Sequence, residues 1–137
     1  DPQKLEQGML ALLGAARNIQ ERVERALEGV GLSAAKFQAL DQLAKAGGPL
    51  ALSELAGCLK CVRSNVTQLV DRLEADGLVK RTAHPEDRRA IQALLTPLGA
   101  ERHSAGAAAV RDVQLDLASR LDPRDGEVLL KALTALC

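Results

Sequence analysis

Aromatic side chains are almost absent from this chain of 137 residues, which contains Phe37 but no Trp and no Tyr. This argues against domains that bind single-stranded RNA or DNA by stacking bases on aromatic side chains. A β-sandwich is disfavoured as well, because its sheets depend on aromatic and β-branched residues. Ala and Leu dominate instead, and this composition predicts a mainly helical fold.

Long hydrophobic runs and the features of a signal peptide are also missing. No apolar run approaches the roughly 18 residues that a membrane span needs, so we expect no membrane partner. The three cysteines, Cys58, Cys61 and Cys137, are too few for a disulfide scaffold and indicate a reducing compartment. A mass of 14.5 kDa corresponds to one domain. We therefore expect a single cytoplasmic domain over 1–137.

Apolar residues at spacings of three and four predict a first helix over 5–30 with a narrow seam of the coiled-coil type. The seam residues are Leu5, Met9, Leu12, Ala16, Ile19, Val23, Ala26 and Val30. A seam of this kind has to be buried, either against its own domain or against a second subunit.

Three shorter helices are predicted next. Ser33 caps the second helix, and Ser53 caps the third after a short extended segment at 50–52. The fourth helix, over 63–75, ends at Gly77. The residues that these three helices turn inward are Phe37, Leu40, Leu43, Ala44, Leu55, Ala56, Leu59, Val66, Leu69, Val70 and Leu73.

The second half of the chain predicts a hairpin and two more helices. Strands at 78–82 and 90–95 flank a polar turn. Thr96-Pro97 and Asp122-Pro123 each place a capping residue before a Pro, so they begin a long helix to about residue 121 and a final helix. The apolar side of the long helix is formed by Leu98, Ala105, Ala109, Val113, Leu117 and Leu121. The fold class is mainly α, an α+β winged helix in which a helix-turn-helix precedes a two-stranded wing.

The outer face of the fourth helix is polar, opposite its apolar stripe. It carries small hydroxyls, amides and a guanidinium, which suit the edges of base pairs in a major groove. The candidate DNA-binding residues here are Arg63, Ser64, Asn65, Thr67, Gln68 and Arg72. The positive end of the helix also favours a phosphate near Ser64. The competing interpretation is a solvated helix face.

The turn of the wing carries Arg88 and Arg89 at its tip. A guanidinium at a hairpin tip can enter a narrow minor groove, where the negative potential is strongest. Arg81 on the first strand is a further candidate, and His84 is expected to contact backbone phosphate. We expect Asp87 to orient Arg81 or Arg89.

Charge is balanced over the chain, with 18 basic and 18 acidic side chains. Residues 58–89 nevertheless hold seven basic and five acidic side chains, a net charge of +2. This small asymmetry predicts weak non-specific binding and an affinity that depends on the DNA site.

The segment 63–79, the turn 84–89 and the motif 95–99 together resemble the MarR family of bacterial transcription regulators. In particular, the turn reads His-Pro-Glu-Asp-Arg-Arg and is followed by Leu-Thr-Pro-Leu-Gly. The resemblance is dense over 50–100, and the order of elements extends it to the whole chain.

The resemblance implies a homodimer joined by 1–32 and 97–137, with a winged helix-turn-helix lobe at 33–96. It implies that residues 64–72 line the major groove and that Arg88 and Arg89 contact the minor groove or its phosphates. It also implies a repressor that releases double-stranded DNA when a small ligand or oxidant is sensed. Because a two-fold dimer presents two recognition helices, we expect a pseudo-palindromic operator.

The signal is less well defined by the sequence. Cys58 and Cys61 share one helix face, so they are either a redox- or metal-responsive pair or two small buried hydrophobes. Cys137 is expected to be incidental. The histidines, His84 and His103, are too scattered for a zinc site, and His103 is expected to face solvent. Arg17 and Arg22 either anchor an anionic ligand or are solvated.

Two other classes of function fit the sequence less well. A winged-helix dimer could act as a protein-interaction module without specific DNA, but the polar helix face and basic wing tip favour DNA. An enzyme is disfavoured because the sequence has no nucleophile–base pair, no phosphate-binding glycine loop and no metal motif, and no cofactor is expected.

Overall fold

The computed structural model describes residues 1–59 and 63–137, with the backbone alone for Arg63 and Ser64. Within these ranges the chain forms, in order, α1 (Pro2–Glu28), α2 (Ala34–Ala46), β1 (Leu50–Ala51), α3 (Leu52–Leu59), α4 (Arg63–Ala75), β2 (Val79–Ala83), β3 (Ile91–Leu95), α5 (Pro97–Ala118) and α6 (Asp125–Thr134). The strands make one antiparallel sheet in the order β1-β3-β2. The predicted winged-helix fold class is confirmed.

Local capping chemistry sets several helix ends as the sequence predicts. The Ser33 hydroxyl accepts a hydrogen bond from the Lys36 main-chain N–H at 3.1 Å, which satisfies a free donor in the first turn of α2. The Thr96 hydroxyl likewise accepts a hydrogen bond from the Gly99 main-chain N–H at 2.9 Å, and Pro97 occupies the first position of α5. Gly77 follows α4 with φ of 76°, a left-handed conformation that glycine adopts without a steric penalty.

Three predicted helix boundaries are wrong. Ser53 does not cap α3, because the helix already begins at Leu52. Asp122 does not cap the last helix; its carboxylate accepts from the Arg124 main-chain N–H at 2.9 Å in the preceding turn, and α6 begins at Asp125 without a side-chain cap. The long helix ends at Ala118 rather than near residue 121. At Asp122 a local turn competes with the cap.

The core lies where α2, α3 and α4 pack against the sheet. The predicted inner stripes are confirmed: the buried members are Leu40, Leu43, Leu55, Ala56, Val66, Val70 and Leu73, while Phe37, Leu59 and Leu69 are partly buried against them. Leu27 and Leu32, which were not predicted to be core residues, are buried with this cluster. Both residues flank the turn between α1 and α2, where the Leu32 main-chain N–H donates to the Leu27 carbonyl at 2.9 Å.

Helix α5 buries only part of the apolar side that the sequence predicts. Its buried residues are Gly99, Gly106 and Val113. Val113 belongs to the predicted apolar side, whereas Leu98 of that side, and Leu121 beyond the end of the helix, are exposed. Two glycines on one face let α5 approach its neighbours closely, because neither position has a Cβ. The exposed leucines are left on the outside of this single chain.

The terminal helices bury little of their apolar surface within the chain. In α1 the seam meets the lobe only near its C-terminal end, around Val23 and Val30, and Leu5 and Met9 are exposed. Among the described residues, α6 contributes none that is buried. The described part of the chain contains no helix long and apolar enough to cross a membrane.

Candidate nucleic-acid interface

Helix α4 separates its apolar and polar residues as the periodicity predicts. Val66 and Val70 are fully buried, while Asn65, Gln68 and Arg72 are exposed and Thr67 is half-buried. The three exposed polar side chains line a single shallow groove beside the start of α2. Two amides and a guanidinium on one helix face can form bidentate hydrogen bonds with base edges.

The first turn of α4 also contains Arg63 and Ser64, whose backbone is helical. Their side chains, and the whole of Cys61, lie outside the described residues. The predicted phosphate contact near Ser64 and the sensing role of Cys61 therefore stay predictions.

The wing is a regular hairpin whose strands pair from Val79↔Leu95 to Ala83↔Ile91. Its loop is closed by the His84 main-chain N–H, which donates to the Ala90 carbonyl at 2.9 Å. The His84 ring accepts at Nδ1 from the Glu86 main-chain N–H at 3.1 Å. With Nδ1 accepting this bond, Nε2 is the ring nitrogen left to donate to a phosphate oxygen.

Arg88 and Arg89 are exposed in this loop. The Asp87 carboxylate accepts from the Arg89 main-chain N–H at 3.0 Å. Asp87 thus fixes the backbone of the loop instead of orienting a guanidinium, so the predicted pairing of Asp87 with an arginine side chain is wrong.

Arg81 faces α4 instead. Its guanidinium donates to the Thr67 carbonyl at 3.2 Å and to the carboxylates of Asp71 and Glu74. Its main-chain N–H also donates to Glu74 at 3.2 Å. This pairing was not predicted from the sequence, although Asp71 and Glu74 are one helical turn apart on the same side of α4.

His103 does not face solvent as predicted. It lies between α2 and α5, where its ring stacks on Phe37 with a centroid separation of 5.6 Å. Its Nε2 is 2.9 Å from the Asp41 carboxylate, which also pairs with Lys45. Burial raises the pKa of Asp41, but the hydrogen bonds from Lys45 and His103 outweigh burial and hold that pKa below its usual 3.8.

The candidate sensor residues are placed as follows. Cys58 is exposed and free, so the interpretation of Cys58 as a buried hydrophobe is wrong. Arg22 is bound to Asp116 at 2.5 Å across α1 and α5, and Arg17 is exposed. Across the described ranges, no three His, Cys, Asp or Glu side chains come together in a way that could hold a metal ion.

Comparison with known proteins relates this architecture to one family. A family model described as the MarR family matches residues 30–90. The transcriptional repressor MdtR of Bacillus subtilis is 36% identical over 90 residues, which is 66% of this chain and 57% of that protein. The regulator PecS of Dickeya dadantii is 31% identical over 96 residues, covering 66% and 58% of the two chains.

The chain belongs to the MarR family. Solved structures agree with this MarR-family fold over nearly the full length. AbsC of Streptomyces coelicolor, a MarR family transcriptional regulator, has a TM-score of 0.81 at 28% identity and covers 96% of this chain and 90% of its own. A MarR mutant from E. coli complexed with operator DNA has a TM-score of 0.82 at 22% identity, with coverage of 98% and 95%. This MarR-family chain spans little more than half the length of the first curated relatives that it matches.

Proposed function

We propose that this chain is a sequence-specific DNA-binding transcriptional regulator that acts as a homodimer. The observation that carries the proposal is the exposed polar face of α4, joined in one lobe to a wing whose tip exposes Arg88 and Arg89. A duplex offers base edges to the helix and a narrow, negative groove to the wing. The E. coli MarR structure with operator DNA has this fold, which supports the proposal.

In this proposal Asn65, Thr67, Gln68 and Arg72, with Arg63 and Ser64 at the start of α4, read the major groove. Arg88 and Arg89 enter the minor groove or bind its phosphates, and His84 donates to a backbone phosphate. Amide and guanidinium groups at these positions give contacts that depend on the base pair, whereas the phosphate contacts set the register.

The homodimer is proposed from the apolar surface that the terminal helices leave uncovered. On α6, Val128, Leu129 and Leu130 are exposed together, and on α1 and α5 the exposed residues include Leu5, Met9 and Leu115. Apolar surface on this scale marks an interaction site. We assign 1–32 and 97–137 to dimerisation and 33–96 to the DNA-binding lobe.

The direction of regulation is proposed as repression relieved by a small ligand or an oxidant. MdtR and YetL of Bacillus subtilis are both described as transcriptional repressors. The structural neighbour RdhR is an organohalide-sensing regulator that binds 2,4-dichlorophenol. We propose a cytoplasmic protein without enzymatic activity.

Fluorescence anisotropy tests the proposal. The probe is a labelled duplex from the region directly upstream of the chain's own gene, with a scrambled duplex of equal length as control. We expect saturable binding that weakens steeply with salt, because lysine and arginine contacts release counterions. A footprint should show two half-sites about one helical turn apart, and light scattering should give twice 14.5 kDa.

Equal affinity for both duplexes would overturn sequence-specific recognition, and no binding at low salt would overturn the DNA-binding function. In that second case, a stable dimer would favour the protein-interaction module. A mass of one chain would overturn the dimer.

A further inference from the structure

The connection between α4 and the wing is short and is set by the backbone. The Gly77 N–H donates to the Glu74 carbonyl at 2.9 Å, and the Leu78 N–H donates to the Leu73 carbonyl at 2.9 Å. This pair of bonds closes the end of α4 and directs the chain into β2. Beyond the turn, buried Val79 anchors the first residue of the strand.

Arg81 is the next residue on the same face of the strand, because side chains alternate along β2. It lies opposite Ala93 of β3, which is fully buried. The Arg81 side chain is accordingly 27% exposed. Its stem lies on the side of the sheet that faces α4.

The polar contacts of Arg81 reach two turns of α4. The guanidinium binds the Thr67 carbonyl, the Asp71 carboxylate and the Glu74 carboxylate, while the strand's own N–H at residue 81 binds Glu74. We call these four residues the Arg81 clamp. A planar guanidinium that donates to several fixed acceptors holds its orientation more firmly than a single ion pair does.

Charge within the clamp argues against a direct role for Arg81 in DNA binding. One guanidinium faces two carboxylates, so the clamp has a net charge of −1 and offers phosphate no uncompensated positive charge. Arg88 and Arg89, by contrast, lie exposed in the loop of the wing. The polar face of α4 and the tip of the wing have to keep a fixed relative geometry if both are to contact the same duplex.

We propose that Arg81 is a positioning residue: through Asp71 and Glu74 it fixes the wing relative to α4 and thereby sets which DNA geometry both can contact. This inference rests on the proposed function. It replaces the prediction that Arg81 itself contacts DNA, and it makes Asp71 and Glu74 necessary for binding although both are acidic.

The decisive variant is the double substitution Asp71→Asn with Glu74→Gln. It makes the lobe more positive, so electrostatics alone predicts tighter binding to the upstream duplex. The positioning role predicts the opposite, a loss of about tenfold. Glu86→Gln is the control, because it removes one negative charge, against two in the double variant, from the wing outside the clamp; its binding should stay equal or tighten.

A second measurement needs no DNA. Hydrogen exchange followed by mass spectrometry should show faster exchange over 79–95 in the double variant than in the wild type or in Glu86→Gln, with α2 and α5 unchanged. If the double variant does not fold, Glu74→Gln alone keeps the bond between Arg81 and Asp71 and should show a smaller loss of the same sign.

Non-additivity provides the third measurement. If the clamp acts through the wing, the double substitution should lower DNA affinity little further in an Arg89→Ala background. If the clamp and Arg89 act independently, the two losses of binding free energy should add. Wild-type binding with equal or tighter binding by the folded double variant would overturn the positioning role and leave the proposed function standing. Failure of the wild type to bind would overturn the proposed function itself, and unchanged exchange over 79–95 would overturn the clamp.

Discussion

Gly99 lies so close to the main-chain carbonyl of Leu78 that a Cβ on residue 99 would overlap the oxygen. The same Leu78 carbonyl accepts from the Thr96 main-chain N–H at 3.1 Å, and the Thr96 hydroxyl donates to the Gly77 carbonyl at 2.7 Å. The start of α5 is therefore seated on the turn that ends α4. A helix proposed for dimerisation and the proposed recognition helix meet at one close-packed junction.

Gly99→Ala should lower the free energy of unfolding by about 3 kcal/mol or more, because the added methyl group meets backbone and not a movable side chain. Urea denaturation measures this. Gly8→Ala is the control: nothing lies near that position in α1, so Ala should raise the stability by up to about 1 kcal/mol. Similar stabilities for the two variants would contradict the close approach.

Asp41→Asn should lower the stability by about 1 kcal/mol at neutral pH, because Asp41 accepts hydrogen bonds from cationic or polar partners on two helices. The pKa of Asp41 is lowered in the folded chain, so the carboxylate stabilises the fold above its unfolded pKa, and this contribution is lost as pH falls through the folded pKa. The difference between wild type and variant should shrink in acid below pH 3.8. Asp112→Asn, at an exposed position of α5, is the control, and a difference that persists in acid would refute the assignment.

Arg89→Ala should weaken binding to the upstream duplex by about 1–3 kcal/mol if the wing tip contacts the groove. Anisotropy at two salt concentrations measures both the affinity and its salt dependence. Arg111→Ala removes the same charge from an exposed position on α5 and should leave the affinity nearly unchanged. Equal losses would mean that only the overall charge matters.

Cys58 should react with a maleimide in the folded protein, since its side chain is exposed. Mass spectrometry in a Cys137→Ser background measures the labelling, and Cys58→Ser identifies the site. If Cys58 and Cys61 form a redox pair, diamide should weaken DNA binding in the wild type and not in Cys61→Ser. Equal responses to diamide would leave the pair without a sensing role.

Much of the fold could be predicted because its signals are local. The Ser33 and Thr96 caps, the left-handed Gly77 and the inner stripes of α2 and α4 each depend on residues within about one helical turn. The polar face of α4 follows from the same periodicity, so the candidate interface was predicted together with the helix. Where two local motifs compete, as at Asp122, the sequence did not decide between a cap and a turn.

The sequence by itself determined which segments are helix, strand and turn, and which side of α4 is polar. Only the tertiary structure decided that Arg81 faces Asp71 and Glu74, that His103 stacks on Phe37, and that α5 packs through its glycines. These contacts join residues distant in the chain, and their geometry depends on how closely the elements approach one another. Side-chain periodicity gives the face of an element but not the neighbour that this face meets.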